Sequence, residues 1–202
     1  MKTITGLFDD YTDASSAVSA LEATGVPSND ISIVSNNADD RHSDRGSGAA
    51  TGAESGAGLG AVVGGAGGLL TGLGIMAIPG VGPVVAAGWL AATAVGAVAG
   101  AVAGGAAGGL IGALTGSGVS EDDANLYAEG VRRGGTLVTA KVDDALAPEA
   151  EAILKRSNWV DPAERRAAYK AQGWTRFDDT LDPYGPEQIE QERSRYRRPP
   201  AA

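Results

Sequence analysis

The chain has 202 residues, of which 31 are glycine, none is cysteine and 5% are aromatic. So few bulky side chains limit how much of the sequence can form an ordinary core, and the lack of thiols excludes disulfides and cysteine chemistry. A formal charge of −9 argues against nucleic acid as a partner, because phosphates call for a basic stripe.

The charge is unevenly spread. All 25 acidic and 16 basic residues lie in 1–54 and 121–202, and between Glu54 and Glu121 there is no charged side chain and no histidine. A soluble domain carries about 25% charge, so this interval reads as a separate structural unit. The opening MKTITGLFDD turns acidic before an apolar stretch develops, and no secretory signal peptide is expected.

In chain order, TITGLF between Thr3 and Phe8 predicts a strand. Thr12 and Asp13 offer N-caps for a helix whose apolar face is Ala14, Ala17, Val18 and Leu21. Gly25 stops it, Pro27 to Asp30 turn, and Ile31 to Val34 predict a second strand. Residues 1–36 are thus expected to be one half of an α+β domain, followed by a polar linker over 37–47.

The uncharged interval, 48–118, is read as an antiparallel helical hairpin with its tip at 79–83. Gly48, Gly52, Gly56, Gly60, Gly64, Gly68 and Gly72 recur every four residues, and so do Gly96, Gly100, Gly104, Gly108, Gly112 and Gly116. Two such runs on either side of Pro79, Gly80, Gly82 and Pro83 have the pattern of a glycine zipper, in which small residues let helix backbones approach closely. Four residues advance about 400° around a helix, so the glycine ridge drifts and no single straight partner covers it. That predicts contacts with a neighbouring chain as well as between the arms. Each interior glycine costs about 0.8–1 kcal/mol of helix stability relative to alanine. Lipid or dense packing in an oligomer must therefore compensate. Ala57 to Ile78 gives 22 residues, enough to cross a bilayer, and Arg41 and Arg45 favour cytoplasmic termini.

Order resumes at Ser120, which can cap a helix with Glu121, Asp122 and Asp123 in its first turn and Ala124, Tyr127, Ala128 and Val131 on its apolar face. Gly134 and Gly135 end it, Thr136 to Val142 predict a strand with Leu137 and Val138 on opposite faces, and Pro148 to Ser157 a further helix. Trp159 and Val160 are read as the start of a fourth strand. Neither half has enough strands for an independent sheet, so 1–36 and 119–160 are expected to build one ferredoxin-like α+β domain. The remainder, 161–202, is read as a peripheral charged tail with short helices over 162–173 and 187–198.

The order of these segments resembles a known family. GLFDDYTDASSAVSALEATGVPSNDISIVS is followed by MAIPGVGPVVAAG, then by SEDDANLYAEGVRRGGTLVTAKVDD and EAEAILKRSNWVDPAERRAAYKAQGW. Together they resemble the bacterial general stress protein family, the heat-induced or low-temperature-induced type with a YflT-like domain, over about residues 1–174. The resemblance implies a ferredoxin-like domain with a hairpin insertion and expression under general stress, and it carries no catalytic residues.

Side chains with chemical potential are sparse. His42, in DDRHSD, is read as part of a solvated linker rather than a metal site or a triad. No Lys lies between Lys2 and Lys141, which excludes a P-loop, and no GxGxxG occurs. Asp9 and Asp10 are read as turn and capping residues, Tyr127 as core edge, and Arg132 and Arg133 as complements to a helix C-terminus. The expectation is a non-enzymatic protein without cofactor, metal or small-molecule substrate, homo-oligomeric through its glycines. It would sit at the bacterial inner membrane with a cytoplasmic α+β domain, or alternatively in the cytoplasm as a soluble interaction module. A small-molecule or metal sensor is the more remote reading.

Overall fold

The computed structural model describes residues 1–38, 74–78, 80–91, 93 and 109–196. Five strands form one sheet: β1 (Lys2–Phe8), β2 (Ile31–Asn36), β3 (Gly74–Ile78), β4 (Gly82–Gly88) and β5 (Thr136–Val142), in the order β1-β5-β2-β4-β3. Every neighbouring pair is antiparallel, with Val138 opposite both Gly6 and Ile33. The strand from the distant half of the sequence thus sits between the first two, so both halves of the chain supply one sheet.

Side chains alternate across the pleat and sort into two cores. Ile4, Phe8, Ile31, Ile33, Val138, Ala140 and Val142 point to the face covered by α1 (Tyr11–Ala23) and by α4 (Ala147–Arg156). Leu7, Val34, Val84, Ala86 and Leu137 point to the other, under α2 (Gly109–Gly116) and α3 (Glu121–Arg132). All of β2 is buried: Ile31, Ile33 and Val34 fill the two cores, and the polar Ser32, Ser35 and Asn36 are satisfied by hydrogen bonds with Ala87, Thr136 and Val131.

This arrangement is a mixed α+β fold but departs from the ferredoxin-like plait expected from the sequence. Such a plait keeps its helices on one face of a four-stranded sheet. Here helices lie on both faces and a fifth strand is added. β3 and β4 come from residues read as the tip of a helical hairpin at 79–83 and the adjoining ends of its two arms, and they flank a turn at Gly80 and Val81. The physical reason is that a short apolar run between glycines and prolines suits a buried strand as well as a helix. Pairing with β2, from Ser32 opposite Gly88 to Asn36 opposite Val84, supplies the backbone partners that decide for the strand.

Of the zipper positions, Gly56, Gly60, Gly64, Gly68, Gly72, Gly96, Gly100, Gly104 and Gly108 lie outside the described residues, as does Pro79 of the tip. Gly112 lies in α2, whose buried face is Leu110, Ala113 and Leu114.

The helix starting at Ser120 follows the sequence reading. The Ser120 hydroxyl accepts a hydrogen bond from the Asp123 amide at 3.1 Å, with three acidic residues in the first turn. α1 begins at Tyr11, one residue before the expected caps, with Asp10 at the N-cap position. Trp159 and Val160 add no strand; the Val160 amide makes a 2.7 Å hydrogen bond to the Leu7 carbonyl at the outer edge of β1. The largest change concerns the C-terminal part, which is not peripheral. α5 (Pro162–Ala171) buries Arg165 and Tyr169, and α6 (Pro186–Tyr196) buries Ile189 and Glu192.

Candidate functional site

β1 and β2 finish, and β5 begins, at the same end of the sheet, where Thr136 pairs with Phe8 and Ser35. At this end Asn36 donates its side-chain amide to the carbonyls of Val131 (3.0 Å) and Arg132 (3.3 Å), holding the last turn of α3 against β2. That turn carries Glu129, Arg132 and Arg133, which α5 and α6 enclose.

Glu129 is fully buried and lies three and four residues before the two arginines, the spacing at which helix side chains meet. Arg132 grips its carboxylate through Nε (2.9 Å) and Nη2 (2.7 Å), and Arg133 Nε adds a 2.6 Å bond. The Arg133 Nη1 then reaches Gln172 Oε1 at 2.6 Å and Glu192 Oε1 at 3.1 Å. Two carboxylates thus balance two guanidiniums in an almost water-free site. Buried charges are tolerated only when paired and hydrogen-bonded in this way. Burial disfavours the Arg133 cation, but its hydrogen bond and attraction to Glu129 outweigh that and push its pKa up. Its guanidinium also lies 4.1 Å from the centroid of the Tyr169 ring.

A second pair ties α5 to the end of β1. Arg165 donates both terminal nitrogens to Asp9, each at 2.8 Å, in a planar bidentate contact. It also stacks 3.7 Å from the Tyr196 ring centroid. Burial works against its charge, yet the Asp9 hydrogen bond raises its pKa further. Asp9 is therefore an ion-pair partner rather than a turn residue. Asp10 takes the N-cap position of α1 without a side-chain cap bond.

Beside this pair lies a cavity of about 550 Å³ walled by Asp9, Asp13, Trp159, Glu164, Arg165 and Tyr196. Its carboxylates are partly occupied: Asp9 holds Arg165, and Asp161 caps α5 by accepting from the amides of Ala163 (2.8 Å) and Glu164 (3.1 Å). Among the described residues, no group of three or more His, Cys, Asp or Glu is placed to hold a metal ion. His42 lies outside them.

The tip residues are brought into contact with the C-terminal segment. A side chain at Gly80 would meet Phe177 and Asp179, and one at Gly82 would meet Pro183. Pro83 is exposed within β4. The segment between α5 and α6 therefore crosses from α3, where the Phe177 amide donates to Asn125 Oδ1 at 3.2 Å, to the β3–β4 turn. α6 then returns it to the start of β5. Of the buried network, the sequence offered only the Glu129, Arg132 and Arg133 spacing. Glu192 lies 59 residues from Arg133, beyond any local pattern.

Residues 3–79 match the heat induced stress protein YflT domain. This agrees with the general stress protein resemblance drawn from the sequence. The YflT match takes in β1, α1, β2 and β3 and stops before β4, so the buried network, apart from Asp9, lies beyond it. No curated protein and no solved structure gives a significant match.

Proposed function

We propose that this chain is a non-enzymatic general stress protein whose α+β unit carries a glycine-rich segment for self-association. The observation that supports this most is the four-residue glycine spacing in two runs within an uncharged interval, from Gly48 to Gly72 and from Gly96 to Gly116. Ridges of small residues bring helix backbones into contact, and the loss of helix propensity at each glycine has to be offset by such packing. The two runs leave the sheet at separate points, after β2 and after β4.

The place of association is either a membrane, with the α+β unit on the cytoplasmic side of the bacterial inner membrane, or a soluble cytoplasmic homo-oligomer. One observation favours association over crossing. β3 takes the last five residues of the apolar stretch that began at Ala57, leaving residues 57–73. That is at the short limit for a spanning helix, about 17 residues. Among the described residues, no helix is long and apolar enough to cross a membrane.

Replacing Gly60, Gly64, Gly100 and Gly104 with leucine is expected to abolish self-association, read by light scattering, while the far-ultraviolet spectrum of the sheet is retained. An unchanged particle mass would remove the proposal. A carbonate wash of cell membranes separates the two locations: release into the supernatant selects the soluble assembly.

A further inference from the structure

α6 touches the body mainly through one face, and its last turn adds Tyr196 against Arg165 and Gln172. Ile189, Glu192 and Arg193 fall at i, i+3 and i+4, and the buried residues of the helix are Ile189 and Glu192. Each meets a feature prepared by the turn between α3 and β5. Gly134, at φ +102°, has no side chain, and the space a Cβ would take is filled by Ile189. Arg133 receives the Glu192 carboxylate, and the Gly134 carbonyl accepts from Arg193 Nη2 at 2.7 Å. This is a receptor for a short helix, read as an aliphatic side chain followed one turn later by a carboxylate.

Without its occupant the receptor keeps most of its hydrogen bonds and gains one net positive charge, which suits it to a carboxylate. Glu129 remains bound to both Arg132 and Arg133, and Gln172 remains on Arg133 Nη1. Departure of Glu192 leaves one guanidinium charge unbalanced, and water entering where α6 had lain would solvate it. The tether is held at separate points, by Phe177 on Asn125 and at the β3–β4 turn and by Tyr184 beside the Arg132 and Arg133 guanidiniums. Its residues Arg176, Asp178, Thr180, Leu181, Asp182 and Pro183 are exposed. With 11 residues, α6 is shorter than a helix that is stable alone in water. Its helicity and its docking are coupled.

We infer that α6 is a releasable clasp, a ligand held in cis on the Arg133–Gly134 receptor. The open receptor accepts in trans a helix with an aliphatic side chain and a carboxylate one turn apart. Release also lifts the segment over the β3–β4 turn, so the clasp controls access to that end of the sheet. The inference is independent of glycine-mediated association.

The test uses the full chain. Native-state hydrogen exchange is expected to show amides of 187–196 exchanging at least tenfold faster than those of β5; equal rates would mean that α6 opens only with the whole fold and would overturn the inference. In the full chain carrying Ile189→Ala and Glu192→Gln, a fluorescent peptide of residues 184–202 is expected to bind at least tenfold more tightly than to the unaltered chain. A peptide with the same two substitutions is expected not to bind. A variant with native near-ultraviolet ellipticity that ignores the unaltered peptide would also overturn it. Should the variant fail to fold, the exchange measurement on the unaltered chain decides.

Discussion

Tyr127 shows how one side chain reports its surroundings. It was legible as part of the apolar face of α3, and it is buried there with Ala124, Ala128 and Val131. Burial, reinforced by the nearby Asp123 carboxylate and partly opposed by Arg166, raises its pKa from 10.0 to about 12. A phenol whose pKa is raised on folding contributes stability that is fully present below pH 10. That contribution is lost as pH rises toward 12, because the unfolded chain ionises first. Two units correspond to about 2–3 kcal/mol. Urea unfolding at pH 9 and at pH 12 is expected to show Tyr127→Phe losing less stability than the unaltered chain by about that amount; identical alkaline losses would contradict the assignment. The charged residues one step round the same helix were not legible. Glu129, Arg132 and Arg133 look like an exposed helix end, and their burial comes from α5 and α6 closing over them.

Among the elements, helices with a marked start and an amphipathic period were read closely. α3 begins after its Ser120 cap, and α4 and α5 begin at Ala147 and Pro162. β3 and β4 were missed because glycine and alanine spacing carries little information about period, and the deciding hydrogen bonds come from β2 to β4 and from β4 to β3. The turn after α3 holds the element-scale prediction. Gly134→Ala places a Cβ at a left-handed φ and against Ile189. It is expected to cost about 1–3 kcal/mol of stability, with the added loss of protection in α6 measured by hydrogen exchange. A full-stability alanine variant with unchanged α6 protection would show that the notch does not seat the helix.

At the scale of the whole molecule, β5 lies between β1 and β2, so no N-terminal fragment that ends before Thr136 can complete the sheet. The YflT-matched stretch alone would leave β1 and β2 without the strand that joins them. A fragment of residues 1–118 is therefore expected to show no cooperative thermal transition by circular dichroism, whereas the full chain unfolds the α+β unit in one step. A folded fragment would require a different strand order. The sequence by itself determined the mixed α+β character, the family resemblance, the charge-free interval and most helix starts. These follow from neighbours within a few turns of chain, through caps, periodicity and composition. Strand order, the covering of both sheet faces, the β3–β4 hairpin and the Glu192–Arg133 and Asp9–Arg165 pairs were decided only by tertiary structure. Each depends on groups far apart in sequence, whose hydrogen bonds and burial exist only once the sheet has assembled.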